Sequence, residues 1–532
     1  MTDRYLNNFA EASEYNPRFS IRSMLVAVLW ILLLFTPGKA DYIAAPSQSH
    51  GTMSSAESGN EELVLQYLKA IQDNFSEENL LIPAMEDNSG QTFNNAVTAM
   101  AFILTGEKER AERILDFYAQ RTDSFNQILN YQNFFYNNEA RGFFQNVDLS
   151  NDYYPFICDR WMGDNAWLLI AYKFYESEYG FGSKPLYSQV ASYLKNLLLD
   201  FYIDDPAGHG GFVRHGWRWG PRNSPNPVND YKLHETDSLG NPIGHEEGNI
   251  DAYAALKLCG ENEKAEKVKE WIDYRMNVLN GNDGLPLDLF SWRSLAFCNR
   301  GLYYKLLVNV PENDPGFKKQ VIFKGRQVTG FFSRDDINVN NIWLDGLGHM
   351  VCAFYSSGFP ERGDFYNIQL DSLLINRVIG AENCLAVPYT ANTQGGYDWV
   401  DINKGFSSSC AWYIFAKHGF NPFTFDRNLS TGTREGRSEE RNFKLIQNFP
   451  NPFNLSTTIS FSVSRPLKVE IVIYDMLGNR VRKLFEGRTS TGLNEVTWNG
   501  TNNMAEIVSS GVYIYRISSG EEVFNGKMIL NK

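Results

Sequence analysis

From residue 61 to about residue 423 the chain alternates two kinds of apolar segment. One is apolar on every side, as in Ala96 to Leu104; the next carries a stripe at three-and-four spacing through Ala111, Ile114, Leu115 and Tyr118. A helix apolar all round must be enclosed, whereas a striped one buries one face and shows the rest to water. The pairing recurs with Asp164 to Tyr175 followed by Val190, Tyr193, Leu194, Leu197 and Phe201. It recurs again with Asn249 to Leu258 followed by Ala265, Val268, Ile272 and Met276. Gly106 and Gly260 stand at the turns, where a left-handed residue readily ends a helix. Further enclosed helices are expected near Ser291, Leu344 and Phe406, with Asn367 to Val378 as outer partner of the fifth and no evident partner for the fourth. Six enclosed helices with amphipathic followers predict a mainly α fold, an α/α toroid, over residues 61–424. The stretches Asp204 to His245 and Gly380 to Lys404 are long enough to predict functional loops.

Residues 425–442 are polar and charged and read as a linker, after which the period changes. Leu467, Val469, Ile471 and Ile473 alternate with Lys468, Glu470 and Val472, and Val512 to Ile517 alternate likewise. With turns at Leu477-Gly478-Asn479 and Asn499-Gly500, residues 443–532 are expected to form a separate small β-sandwich. At the other end, Arg18 and Arg22 precede the apolar run Met24 to Phe35, and Gly38-Lys39-Ala40 set small residues at a cleavage position. Residues 1–40 therefore read as a signal peptide for export and residues 41–60 as a flexible Ser-rich leader, with a start at Met24 or an uncleaved anchor as alternatives.

A net charge of −13 with no long basic run argues against nucleic acid or an anionic membrane as partner. The six cysteines include no C-x-x-C pair and sit mostly in apolar helical patterns, so buried thiols are expected, one or two disulfides being compatible with export. No G-x-S-x-G, phosphate-binding or dinucleotide fingerprint occurs, and no cofactor is expected. Aromatic residues make up 14% of the chain, enough to serve both a large core and a sugar-stacking surface.

Two resemblances follow from specific motifs. The C-terminal run Gln447-Asn448-Phe449-Pro450-Asn451-Pro452-Phe453-Asn454 is followed by Thr457-Thr458-Ile459, Ile473-Tyr474-Asp475-Met476-Leu477-Gly478 and Val496-Thr497-Trp498-Asn499-Gly500. It closes with Ser509-Ser510-Gly511-Val512-Tyr513-Ile514-Tyr515-Arg516 and Lys527-Met528. This series resembles the type A sorting domain of type IX secretion cargo. The resemblance implies recognition of residues 443–532 by an outer-membrane translocon, followed by release or fixation at the cell surface. In the central region, Gly163-Asp164-Asn165-Ala166-Trp167, Glu247-Gly248-Asn249-Ile250-Asp251-Ala252-Tyr253, Trp343-Leu344-Asp345-Gly346 and Gly419-Phe420-Asn421-Pro422-Phe423 are similar to exported six-hairpin glycosidase-like proteins. That resemblance implies a polysaccharide or oligosaccharide substrate. The chain departs from the pattern at Asn94, where an acid is expected, and at Asp345, where a Glu is expected.

Glycoside hydrolysis needs one carboxyl to protonate the leaving oxygen and another to act as base or nucleophile. Asp164, Glu247, Asp251 and Asp345 lie near starts of enclosed helices and are the candidate catalytic acids, with Asp345 as proton donor by analogy and Glu247 or Asp164 as base. Asp164 and Asp251 could equally be helix caps. His209, His215, His234 and His245 share one loop-rich stretch, but their spacing matches no helical metal motif and no metal is expected. Their neighbours Arg214, Trp217 and Trp219, with Trp292 and Tyr397 from later segments and Asn94, are the candidate sugar-binding residues. A surface glycan-binding module that has lost catalysis, or a polysaccharide lyase, remains as an alternative to the hydrolase.

Overall fold

The computed structural model describes residues 55–531 apart from 77–79, 123–133, 137–138, 151–158, 219–231, 234–243, 279–284, 428–442, 450–452, 455, 464–465, 476–478, 490–491, 505 and 520–521. The signal peptide, most of the leader, Cys158, Trp219, His234 and most of the linker lie outside these residues. The chain divides into two units, residues 1–430 and 431–532.

In the first unit the described helices are, in chain order, α1 (Ser55–Phe75), α2 (Thr92–Leu104), α3 (Lys108–Ala119), α4 (Met162–Tyr179) and α5 (Pro185–Phe201). There follow α6 (Glu246–Leu258), α7 (Asn262–Val278), α8 (Asp288–Ala296), α9 (Leu302–Leu306) and α10 (Asn309–Asn313). The last are α11 (Leu344–Ser357), α12 (Pro360–Ser372) and α13 (Ser407–Lys417). The two expected kinds of helix are both present. Every residue of α13 and all but one of α11 are buried, whereas α7 buries only Ala265, Val268, Trp271 and Ile272 along one stripe. The enclosed helices α2, α4, α6, α8, α11 and α13 each pack on the next, and α13 packs back on α2, so their contacts form a closed circuit. Outside it, α3 lies on α2, α5 on α4, α7 on α6 and α12 on α11. Gly106 and Gly260 take left-handed φ of +84° and +79° just past α2 and α6, which only glycine adopts without strain.

Three expectations change. The helix expected from Asn367 to Val378 is α12, which starts at Pro360, a residue pre-set for the first turn; Ile375–Ile379 is instead a strand paired with Glu382–Ala386. The fourth enclosed helix, α8, is flanked by a broken set of short helices, where Gly301 at φ +128° interrupts the chain. The segment read as a leader already holds the start of α1, and this helix supplies the outer partner of α13. The circuit is thus closed by the two ends of the unit: His418 Nε2 lies 2.7 Å from Glu61 Oε1, 357 positions away in sequence. Arg377 pairs with Glu86, and the Ser407 N–H donates to the Ala84 carbonyl at 2.8 Å. The five described cysteines are unpaired, four of them buried.

The second unit has a three-stranded antiparallel sheet in the order Phe443–Phe449, Thr457–Val463, Gly492–Trp498. Its four-stranded sheet runs Arg480–Arg488, Lys468–Asp475, Gly511–Ser519, Glu522–Leu530. Period-two alternation sends Ile459, Phe461 and Val463 of one sheet and Val469, Ile471, Ile473, Tyr513, Tyr515 and Ile517 of the other into one core around Trp498. The Trp498 indole N–H donates to the Thr501 carbonyl at 2.9 Å, which satisfies its buried polar atom.

Candidate functional site

Side chains from the first turns of the six enclosed helices meet or perturb one another, so these ends gather at one end of the circuit. In order they carry Asn94, Asp164, Glu247, Asp288, Asp345 and Ser408. Four residues further on, one helical turn deeper, stand Thr98, Asp251, Trp292, His349 and Trp412 on the corresponding helices, with Trp167 in α4. Trp167, Trp292 and Trp412 come from alternate members of the circuit and touch: Trp167 lies 5.6 Å from Trp292 and 6.0 Å from Trp412 between ring centroids. Rings from non-adjacent helices can meet only in the middle, so aromatic side chains plug the centre and the acids sit around and above the plug.

How the helix starts are held is shown by three asparagines. Asn165 accepts from the Phe143 N–H at 2.8 Å and donates to the carbonyls of Phe143 and Trp161. Asn249 does the same with Val213 and His245, and Asn95 with Ile82 and Gln91. Each amide ties a backbone segment 13, 22 or 36 residues upstream to the N-cap carbonyl of its own helix, and its neighbour in sequence or a residue two away is a first-turn position. At α4 and α6 the starts pack closely: a Cβ on Gly163 would lie 3.2 Å from Asp251 Oδ2.

All four acids expected from the sequence are in this region, joined by Asp288. Neither Asp164 nor Asp251 is a cap; the N-cap positions are Trp161 and His245, and Asp251 is a full turn inside α6. Asp164 is buried, and its proton affinity is pushed up to about 7, chiefly by loss of solvent and partly offset by the Phe93 backbone N–H and its own. Asp251 is raised well above the ordinary range by burial and then by Glu247, Asp164 and Asp288. Glu247 keeps part of its surface accessible. Burial nonetheless pushes it up to about 7, with His245 opposing and Asp288 and Glu246 reinforcing the rise. Asp288 is likewise pushed to about 7 by burial, with His245 opposing. Helix N-termini favour carboxylate charge by up to about 2 kcal/mol, so here desolvation and like charge outweigh the dipole.

Asp345, the acid expected as proton donor, lies in the first turn of α11. Its two carboxylate oxygens accept from the hydroxyls of Ser408 and Ser409 on α13, which ties it between two helices as a buried acceptor. Burial raises its proton affinity first; His349, Ser408 and Ser409 lower it. Asn94 is buried, its amide donating to Ser407 Oγ at 3.1 Å while its Oδ1 finds no hydrogen-bond partner among the described residues.

The expected sugar-binding residues are distributed differently. The Arg214 guanidinium donates to the carbonyls of Phe201 and Asp200 and covers the Phe201 ring, satisfying the end of α5. Trp292 belongs to the buried plug rather than to an open wall, with Phe93, Trp167, His349 and Phe423 around it. Tyr397 is half-buried, its hydroxyl 2.6 Å from Ser333 Oγ and its ring against Tyr389 and Trp399. Trp217 lies on the strand Gly216–Arg218 paired with Arg160–Trp161; Trp219 falls outside the described residues. His215 and His245 pack at 4.9 Å and line a small recess together with Arg214, Gly163 and Asn249 but none of the five acids.

Asp288 and His349 are functional candidates that the sequence pattern does not single out. The signal they do carry is a first-turn acid and a polar residue one turn inside an enclosed helix.

Residues 453–522 match the FlgD Ig-like domain family. No curated protein matches the chain. Among solved structures, dimeric latent PorU from Porphyromonas gingivalis is 26% identical over 16% of this chain and 9% of that one, with a TM-score of 0.15. The aligned segment thus spans less than a tenth of PorU. A glycosidase is 10% identical over 69% of this chain and 99% of that one, with a TM-score of 0.44. An alpha-amylase from Clostridium perfringens is 11% identical over 67% and 96%, with a TM-score of 0.39.

Proposed function

We propose that the helical unit is an α/α toroid of the six-hairpin type that hydrolyses glycosidic bonds in a polysaccharide or oligosaccharide. The observation that carries this reading is the gathering of Asp164, Glu247, Asp251, Asp288 and Asp345 at one end of the helix circuit, with mutual electrostatic influence. Carboxyls so arranged cannot all ionise near neutrality; some keep their protons while others are charged, the division of labour that hydrolysis needs. Glu247, the partly accessible one, gives its proton to the leaving oxygen as the C–O bond breaks. An ionised neighbour takes the proton of the attacking water or attacks the sugar carbon itself. The test is a screen of neutral and uronic-acid polysaccharides for new reducing ends and for unsaturated-uronate absorbance. Reducing ends without that absorbance support the hydrolase, and absorbance would replace it with a lyase.

A second reading, a toroid that binds glycan without cleaving it, is favoured by the amide at Asn94 and by the serine-bound carboxylate of Asp345. Binding without new reducing ends in the same screen would select it.

The C-terminal unit, on this proposal, is a type IX sorting signal that delivers the protein through an outer-membrane translocon to the cell surface or the medium. The motif series from Gln447 to Lys527 and an independent core closed around Trp498 support it. Deletion of residues 443–532 should leave the protein inside the outer membrane of a type IX-competent cell; unchanged export would refute the assignment.

A further inference from the structure

We propose that Asp288 is the ionised partner of Glu247 and that His349 is its positioning residue, a neutral imidazole whose tautomer follows the protonation of Asp288. The first half rests on the hydrolase reading; the second does not.

His349 Nδ1 lies 3.1 Å from Asp288 Oδ1. The other ring nitrogen, Nε2, is buried and finds no hydrogen-bond partner among the described residues. Around the ring stand Trp412, Trp343 and Trp292, at 4.1, 5.2 and 5.3 Å between centroids. This cage denies the imidazole a second proton: burial pushes its proton affinity down to about 3, against a smaller upward pull from Asp345. Only the two neutral tautomers remain. An ionised Asp288 can only accept, so it requires Nδ1–H and leaves Nε2 as a bare lone pair. A protonated Asp288 that turns its O–H to Nδ1 sends the ring proton to Nε2, where no acceptor among the described residues meets it; with its proton on Oδ2 it accepts only a neutral hydrogen bond from Nδ1–H. The charge-assisted bond from Nδ1–H to a carboxylate is stronger than either arrangement with the protonated acid, so His349 biases Asp288 toward the carboxylate and opposes the effect of its burial.

The surroundings give this charge its use. Asp288 raises the proton affinity of Glu247 and Asp251 on α6, Asp345 on α11, and Tyr389 and Tyr397 on the segment before α13, while His245 ahead of α6 holds Asp288 down. A charged Asp288 therefore keeps Glu247 protonated, which pairs a base with an acid.

The tautomer is read directly by nitrogen-15 NMR of the full chain labelled at histidine, titrated from acid to alkaline pH and assigned by the resonance that His349→Gln removes. His349 is expected as the Nδ1–H tautomer at alkaline pH, shifting toward Nε2–H as Asp288 takes a proton. In Asp288→Asn, which keeps the shape should the histidine variant fail to fold, the tautomer should not change with pH. An unchanging tautomer in the parent protein, or an imidazolium at neutral pH, would overturn the positioning role.

If the glycan screen yields a substrate, Asp288→Asn should lower turnover by roughly 100-fold or more. His349→Gln should move the acidic limb of the pH–rate profile upward by about one pH unit with KM little changed, about tenfold in rate below that limb. Full turnover in Asp288→Asn overturns the catalytic half. Absence of any cleavage by the parent protein overturns the hydrolase reading and the catalytic half with it, and leaves the tautomer result to stand by itself.

Discussion

Replacing Asp164 by asparagine keeps the shape of the side chain and removes its capacity for charge. The carboxyl is buried on α4, and its Oδ2 has no hydrogen-bond partner among the described residues, so little in the folded state compensates a negative charge there. Its pKa rises from an ordinary 3.8 to about 7 on folding. Because the folded state holds the proton more tightly than the unfolded chain, this group's favourable contribution is complete below about pH 4 and is lost as pH rises through about 7. Each tenfold gain in proton affinity corresponds to about 1.36 kcal/mol, so the charged form destabilises the fold by roughly 4 kcal/mol above that window. Asp164→Asn should therefore stabilise the helical unit in urea at about pH 8, by up to roughly 4 kcal/mol, and by only about 1.5 kcal/mol at about pH 5. Tryptophan fluorescence is a suitable signal because the central plug reports on this unit. An equal loss of stability at both pH values would refute the reasoning, because it would mean that the carboxylate is compensated by contacts the amide cannot reproduce.

Other consequences are equally accessible. Glu247→Gln should lower the release of reducing ends by roughly 10²- to 10⁴-fold without lowering the unfolding midpoint, which a reducing-sugar assay beside a denaturation curve will check. The double change Ser408→Ala, Ser409→Ala strips both donors from the buried Asp345 carboxylate and should destabilise the unit by roughly 3 kcal/mol or more. The loss should be larger at alkaline than at acid pH, where a protonated Asp345 needs the donors less. Asn249→Ala breaks an amide clasp at a buried position and should cost roughly 2–4 kcal/mol in denaturant unfolding, well beyond an exposed Asn→Ala.

Much of the helical pairing is legible in the sequence because burial on all sides and burial along a stripe leave different traces. The acids at helix starts are legible for the same reason: a charge at the edge of an apolar run has few places to go. Asp288 escapes because Leu285, Pro286 and Leu287 precede it and Leu289 and Phe290 follow, so the pattern places the start of the fourth helix three residues late, at Ser291. His349 sits in the apolar α11 and carries no local sign of its partner 61 positions away. Arg214 and Trp292 show the converse difficulty. Their chemistry suits sugar binding, but which way a loop arginine or a helix tryptophan points depends on how its segment is rotated against the rest, and no local pattern encodes that.

The seam between Glu61 and His418, with Ala84 and Asn94 against Ser407, has a consequence for how the protein comes into being. A ring sealed by its first and last described helices cannot be completed until Ser407–Lys417 has been made. At a synthesis rate of about 5–20 residues per second, α1 waits roughly 20–70 seconds for α13 to emerge. Throughout that interval the apolar faces of α1 and α2 that α13 will cover stand open, and the pairings that close this seam are 313 and 357 positions apart. A chain ending before Ser407 should therefore be found in aggregates rather than as a smaller folded piece.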